Sequence, residues 1–493
     1  MESEKAVVLD MITYLKINGF KSFHNFEMVF TPLTVIAGAN ASGKSNVFDA
    51  LQLLARLAET DLKTAFNEQR GSANELFTQY GEEWYADEMS FVVDMLVNRT
   101  VKDNWGGEAE LKYPRLRYEL IIQRRRNEKG FDDLFIAYEY LAKIRNTDDA
   151  WCQNIIPKSL RTLWHAPTGG GSPKPFIYTD TQNEIPTIKI RQDGRQGGKA
   201  TPANAISQTV LGGINSIDFP HAFAAKEEMR RWKFLQLNPA DLREPTRQDI
   251  GMHDTITQSG KNLAAALYRL KLDDEYALTA ISRTLNQFLP NFTDVLVYDD
   301  QANKQFIIKL RGEDGREFSS RVLSEGTLRL LALCIFQYDP QHIGLLCFEE
   351  PENGIHPFRI ETMAHLLKDL SVDFTNPSMP LRQVIVNTHS PVLVKQISLW
   401  KTDPNVSLWF SQISTLITQV EDLIENKAKN DQRVCPGTRK KIKLRVSKIL
   451  PVIKEHASQL VLQFTEQERK LTLAEVIQYL QTADAEKAIE ELR

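Results

Sequence analysis

The chain has 493 residues, 42% hydrophobic and 25% charged, with a formal net charge of −4. That length leaves room for two or three domain-sized units, and the composition excludes wholesale disorder. A charge so near balance gives no global pull toward nucleic acid, so any such contact must come from a local patch.

In chain order, Met11 to Val29 alternates as a strand, a turn and a second strand. Leu33-Thr-Val-Ile-Ala37 is a third strand that runs into a glycine-bearing loop, and a helix opens at Ser45. Strand, Gly-rich loop and helix in that order are the entry to a parallel α/β nucleotide-binding sheet. Residues 87–145 look β-rich, with Leu116–Arg124 and Phe135–Lys143 flanking the turn residues Asn127 to Gly130. From about 145 to 205 the glycines and prolines at 169–171, 173, 175, 194, 197 and 198 break the chain repeatedly, which predicts a loop-rich insertion. Helices are predicted over Asn262–Leu272 and Tyr276–Phe288, then paired strands over Val295–Tyr298 and Phe306–Leu310. Leu328–Phe336 reads as a buried helix, and Gly344–Phe348 and Arg382–Val386 as buried strands. Beyond about 400 the expectation is helix to the end, with a capping box at Thr472 and Glu475.

The four cysteines, Cys152, Cys334, Cys347 and Cys435, form no CxxC pair and have no histidine at ligand spacing. This points to a reducing compartment rather than to zinc or disulfides. The opening MESEKAVVLD lacks the basic start and apolar run of a signal peptide, and the apolar stretch at Leu328 is short and holds Arg329. The expectation is a soluble, cytoplasmic protein that does not cross a membrane.

The chemistry-bearing signals begin with Gly38-Ala39-Asn40-Ala41-Ser42-Gly43-Lys44-Ser45, a full GxxxxGK[ST] loop followed by Asn46. Its glycines let backbone N–H groups turn inward around a β-phosphate, Lys44 reaches β/γ oxygens, and the Ser45 hydroxyl suits Mg²⁺. ATP and Mg²⁺ are therefore the expected ligands. Next, Leu345-Leu-Cys-Phe348 ends in Glu349 and Glu350. Carboxylates at the C-terminal edge of a buried strand suit metal orientation by Glu349 and water activation by Glu350. On its own, an acidic pair after a strand is a solvated strand end. Leu323-Ser324-Glu325-Gly326-Thr327 precedes an apolar helix, and two readings stand for it: an anion site at a helix N-terminus, or a plain helix cap by Ser324. Glu350-Pro-Glu-Asn-Gly-Ile-His-Pro357 and Asn387-Thr-His389-Ser390-Pro391 follow.

The order GANASGKSN, LSEGTLRLL, FEEPENGIHP, NTHSP resembles the RecF/SMC/OLD branch of ABC-type ATPases. Phe234-Leu-Gln-Leu-Asn-Pro239 and Ser259-Gly-Lys-Asn-Leu263 resemble elements of a bacterial "predicted ATPase" family in that branch. The resemblance covers about 11–72, 85–145 and 230–397. It implies an α/β ABC/SMC-type P-loop ATPase head with an N-terminal antiparallel β-subdomain. It also implies that Ser324 and Gly326 bind the γ-phosphate held by a second copy, that 350–357 touches that copy, and that His389 is the switch histidine. Catalytic roles would fall to Lys44, Glu350 and His389, and metal binding to Ser45 and Glu349. Glu325 stands where transporters of the class carry Gly, and Gln69 is the candidate for the Q-loop glutamine. Residues 11–145 form the first lobe, 146–229 the loop-rich insertion, 230–398 the second lobe and 399–493 a helical C-terminal extension.

OLD-type nucleases of the branch add a TOPRIM domain with a DxD pair. Past His389 the aspartates are Asp403, Asp422, Asp431 and Asp484, and none forms a DxD. The chain is then similar to TOPRIM-free ATPase subunits of anti-phage systems, such as PtuA of Septu and AriA of PARIS, which hold a separate nuclease or toxin as effector. The alternative is a RecF/SMC-like DNA-binding ATPase in repair or chromosome maintenance. Lys427 to Lys448 carries nine basic residues against one acid, Asp431. It reads either as a DNA backbone contact, or as a solvated face or a protein contact.

Overall fold

A computed structural model describes residues 11–81, 84–126, 132–161, 174–182, 186–192, 200–203, 206–249, 251–372, 374, 382–400, 402–419, 441–452, 474, 476 and 478–480. In chain order the first half holds β1 (Met11–Asn18), β2 (Phe26–Val29), β3 (Leu33–Ala37), α1 (Lys44–Leu57), α2 (Leu62–Asn67), β4 (Glu88–Leu96), β5 (Thr100–Lys102) and β6 (Glu108–Glu110). There follow β7 (Arg115–Arg126), β8 (Asp132–Lys143), α3 (Ala150–Ile155), β9 (Ile177–Asp180), β10 (Thr187–Ile190), β11 (Ala200–Pro202) and α4 (Pro220–Arg230). The second half holds β12 (Lys233–Leu235), α5 (Pro239–Arg243), β13 (Thr246–Arg247), α6 (Leu263–Asp273), α7 (Ala277–Phe288), β14 (Phe292–Asp300), β15 (Gln305–Gly312) and β16 (Glu317–Ser319). It ends with α8 (Glu325–Tyr338), β17 (Gly344–Glu349), α9 (Ile360–Leu370), β18 (Arg382–Thr388), α10 (Pro391–Ser398), β19 (Val406–Gln419) and β20 (Lys441–Pro451).

The sheet that matters for chemistry runs β12-β17-β18-β3-β19-β20, parallel through β19, with β20 antiparallel at one edge. β3 and β18 are buried along their whole length, as strands covered on both faces must be. Their side chains alternate between two cores. Ile36, Cys347, Ile385 and Trp409 join the cluster under the first lobe, whereas Val35, Phe348, Val386 and Phe410 join the helices α6 to α10. The second sheet is antiparallel, in the order β11-β10-β9-β8-β7-β4-β1-β2, and one buried amide stitches the two sheets together. Gln383 on β18 donates to the carbonyls of Ile12 (2.8 Å) and Thr31 (3.1 Å) and accepts from the Ile12 N–H (3.0 Å).

Two expectations need correction. The stretch 399–493 is not uniformly helical: Val406–Gln419 and Lys441–Pro451 are strands, and β19 lies beside the phosphate-loop strand itself. The residues explain this, because Lys441-Ile-Lys-Leu-Arg-Val446 alternates charged and apolar at period two, the signature of a strand with one wet face. A lobe boundary at 398 therefore cuts the nucleotide-binding sheet. Thr472 and Glu475 lie outside the described residues. The second correction concerns 146–229, where β9, β10 and β11 extend the antiparallel sheet. Each is only three or four residues long, so the alternation was too brief to see among the glycines. The region is anchored at both ends. Asp149 accepts two bonds from the buried Arg115 guanidinium (2.8 and 2.9 Å). Glu139, buried on β8, accepts from the N–H groups of Val210 and Leu211, and burial pushes its carboxyl up to about 7. The adjoining Thr209 hydroxyl donates to the Leu57 carbonyl at the end of α1. The 127–130 turn also lies outside the described residues, but its flanks β7 and β8 pair as expected.

Candidate functional site

The site is built where β3, β17 and β18 end side by side, so that three loops leave the sheet at one edge. The loop after β3 holds Gly38 to Ser45. Gly43 sits at φ 95, and a Cβ there would lie 1.9 Å from the Ser447 hydroxyl oxygen and 2.6 Å from Ser447 Cβ. Only glycine fits both that backbone and that neighbour. α1 then begins at Lys44 with no side chain capping it, which leaves its first N–H groups turned toward the loop. Lys44 is 5% exposed, and its ammonium donates to the carbonyls of Gly38 and Ala39, both at 2.8 Å. Burial lowers its pKa, against the pull of Glu350, Glu352 and Glu349. Ala39, Asn40 and Ala41 are exposed at the loop's crest, with Ala41 at φ 61. The buried Ser42 hydroxyl has no partner among the described residues.

β19 and β20 hold this loop from one side. The Ser411 hydroxyl donates to the Ser42 carbonyl (2.9 Å), and Ser447 shares a hydrogen bond with Ser22 (2.7 Å), to which Asn46 also donates (2.7 Å). The sequence carried no signal for this support.

The carboxylates arrive from β17. The Ser45 hydroxyl donates to Glu349 Oε1 (2.8 Å) and accepts from Asn387 Nδ2 (3.1 Å). A serine oxygen and a carboxylate oxygen held this close suit a hard divalent cation, and the buried, unpartnered Asn387 Oδ1 adds a further oxygen beside them. Ser45 and Glu349 would hold Mg²⁺. Arg70 also reaches Glu349 (3.3 Å), which brings the 68–72 segment to the site. The adjacent Gln69 is buried, its Oε1 has no partner among the described residues, and its Nε2 donates to the Ala65 carbonyl (3.4 Å).

Glu350 occupies the left-handed region at φ 49, uncommon for a side-chain-bearing residue and found where a site fixes the backbone. Its N–H donates to the Asn387 carbonyl (2.9 Å), and its carboxylate accepts from Asn353 Nδ2 (2.8 Å) and meets His389 Nδ1 (2.9 Å). Glu349, Glu350 and His389 thus converge on the phosphate loop.

Ser324 and Gly326 stand one step away. Ser324 is exposed and caps α8, its oxygen accepting from the Thr327 N–H (3.3 Å) and bonding the Thr327 hydroxyl (2.9 Å). Gly326 packs on the 350–355 loop so closely that a Cβ would lie 2.2 Å from the Gly354 carbonyl oxygen. Arg329, one turn on, points its guanidinium at the Glu350 carbonyl (3.5 Å).

Two residues escaped the sequence reading. Glu352, 6% exposed, accepts from the Thr388 hydroxyl, which in turn accepts from the Ser390 N–H (3.0 Å). Burial raises the pKa of Glu352 in spite of that bond. Tyr479 donates its phenol to the His389 carbonyl and packs its ring edge-on against Phe410 (5.5 Å between centroids). Glu352 and Tyr479 brace the histidine loop from two sides. Tyr479→Phe keeps the ring and loses the hydroxyl. Its kcat for ATP should fall about three- to ten-fold, the worth of one lost hydrogen bond, with KM unchanged. Steady-state kinetics that show the wild-type kcat would leave Tyr479 as packing only.

Of the basic stretch, Lys427, Lys429, Arg433, Arg439 and Lys440 lie outside the described residues, as does Cys435. Lys441, Lys443, Arg445 and Lys448 lie on β20, with Lys443 and Arg445 exposed. No helix among the described residues is long and apolar enough to cross a membrane.

Comparisons with known proteins cover both lobes. Residues 11–163 match a family model described as an AAA ATPase domain. Residues 200–395 match one described as "AAA domain, putative AbiEii toxin, Type IV TA system". No curated protein matches the chain. Among solved structures, the chain is similar to an SMC head bound to the C-winged helix domain of ScpA, at 14% identity and TM-score 0.45, covering 91% of this chain and 99% of that one. It is also similar to the SMC head domain from Thermotoga maritima, at 14% identity and TM-score 0.34, covering 90% and 99%. A third is an Smc head with an extended coiled coil bound to the C-terminal domain of ScpA, derived from Pyrococcus furiosus, at 11% identity and TM-score 0.40, covering 92% and 99%. At such scores the fold reading rests on the chain's own strand order and phosphate loop.

Proposed function

We propose that this chain, a P-loop ATPase of ABC/SMC type, hydrolyses ATP at a site completed by a second copy of itself. That cycle would control a separate effector, a nuclease or toxin, in anti-phage defence. The observation that carries the ATPase reading is the convergence of Ser45, Glu349, Glu350 and His389 on one phosphate loop. Mg²⁺ bound there would neutralise phosphate charge. The chain's own groups do the rest. Lys44, released from the Gly38 and Ala39 carbonyls, meets the β/γ oxygens. The Glu350 carboxylate takes the proton of the attacking water, and His389, hydrogen-bonded to it, orients that carboxylate and faces the γ-phosphate.

The regulatory reading is supported by the motif resemblance and by the match of residues 200–395 to a family described as "AAA domain, putative AbiEii toxin, Type IV TA system". A direct test is phage challenge of cells that carry the gene with its genomic neighbours. Plaque numbers should fall with the wild-type gene and recover with Lys44→Ala. Equal plaque numbers for both would remove the defence role. The second reading, a DNA-binding ATPase of repair or chromosome maintenance, is favoured by exposed Lys443 and Arg445 on β20.

A further inference from the structure

Away from the phosphate loop, a cleft of about 620 Å³ opens where β13, the β14–β15 turn and the 3₁₀ turn Ser320–Val322 meet. Arg247, Lys304 and Arg321 line it, and Asp249 is the one acid among its lining residues. All four are exposed. Among the described residues no ion pair or side-chain hydrogen bond engages the three cations, whereas Asp249 is taken up by the Gly251 N–H (3.0 Å). The neighbouring amides of Gln248 and Asn303 are likewise taken, by Asp299 and Asp300.

Three cations and one acid line this concavity, an excess of positive charge that suits an anionic ligand. The scaffold holds them there. Arg247 pairs in register with Gln305, and the Gln248 N–H donates to the Lys304 carbonyl (2.8 Å), so β13 and the turn cannot drift apart. Lys304 itself sits at φ 50. No aromatic ring lines the cleft, so a ligand would be held by its phosphates and not by stacking of a base. The volume lies within the range of about 300–1,000 Å³ usual for small-ligand sites.

The third wall leads to α8. Arg321 stands three residues before the cap Ser324. The Ser320 hydroxyl donates to the Arg243 carbonyl (2.9 Å), and the Arg243 guanidinium donates to the Leu323 carbonyl (3.3 Å).

We propose that this cleft is a second anion site, separate from the phosphate loop, that takes consecutive phosphates of an oligophosphate chain. Those phosphates belong either to a nucleotide or to a nucleic-acid strand. The proposal does not depend on ATP hydrolysis and is tested without ATP. The full chain with Lys44→Ala, which weakens phosphate-loop binding, is the parent. It is compared with the same chain also carrying Arg247→Glu and Arg321→Glu. The probes are inorganic tripolyphosphate, by calorimetry, and a fluorescein-labelled dodecathymidylate, by anisotropy at several salt concentrations.

Charge reversal should weaken binding at least about tenfold and flatten the log–log salt slope by about 1.5, the share of two phosphate contacts. Arg247→Lys with Arg321→Lys should retain binding and so guards against misfolding. Loss with tripolyphosphate alone assigns a nucleotide-sized ligand, and loss with the oligonucleotide assigns a strand. A parent that binds neither probe overturns the proposal. So do unchanged affinities in the reversed chain, or losses that follow Lys443→Glu with Arg445→Glu instead.

Discussion

Lys44→Ala should lose ATP binding by at least about a hundredfold, whereas Glu350→Gln should bind ATP normally and hydrolyse it about 10²–10⁴ times more slowly. The two residues sit in one site but act at different moments. The Lys44 ammonium is buried, which lowers its pKa against the pull of Glu350, Glu352 and Glu349, and among the described residues it donates to the Gly38 and Ala39 carbonyls of the loop. It is placed to exchange those carbonyls for phosphate oxygens, which bind a cation more strongly. Its removal therefore shows in affinity. Glu350→Gln preserves shape and the bond from Asn353, yet a neutral amide cannot accept the water proton. Filter binding of labelled ATP and phosphate release separate the two effects. Equal hydrolysis rates in wild type and Glu350→Gln would sink the assignment of Glu350 as the base.

The larger claim, that each site is shared between two chains, predicts that two dead proteins revive each other. In a two-fold symmetric pair, chains with Lys44→Ala and Ser324→Arg combine so that one site collects both defects and the other collects none. Equal mixing gives half mixed pairs with one good site of two, so about a quarter of wild-type hydrolysis should return. The exposed face around the signature suits such a contact: Ser324 and Glu325 are open, with Val322 70% and Phe358 82% exposed nearby. Large apolar side chains left in solvent beside a site are what a second surface covers. A mixture that stays inactive, although size-exclusion chromatography shows exchange of subunits, would leave Ser324 as a helix cap.

Much of the site was legible because its residues are contiguous. Gly38 to Ser45, Glu349-Glu350 and His389 each follow a run of apolar residues that reads as a buried strand, and those strands prove to be neighbours. What brings them together is long-range pairing, which no local pattern encodes. The same holds for Ser411 and Ser447, ordinary serines that matter only because β19 and β20 lie against the phosphate loop. Glu352 was hidden by its more obvious neighbours, and Tyr479 by distance. The error at 406–451 has a different source. Ile442, Leu444 and Val446 alternate with Lys441, Lys443 and Arg445 at the period of a strand, but so dense a run of charge suits the solvated face of a helix equally well.

The pairing of β3 also dictates when the protein becomes an enzyme during its own synthesis. Leu33 is hydrogen-bonded territory shared with Val384 on one side and Val406 on the other. At about 5–20 residues per second, a ribosome that has made the phosphate loop needs tens of seconds more to deliver either flanking strand. In that interval β1, β2, β4, β7 and β8, whose partners are close in sequence, can pair first. The apolar segment Leu33–Ala37 must meanwhile wait without its sheet. A nascent chain stalled before residue 406 would expose one edge of the nucleotide-binding strand to any passing β-strand. Ribosome pausing at any point between the release of β3 and that of β19 should therefore cost this protein solubility, whereas a pause after β19 has emerged should not.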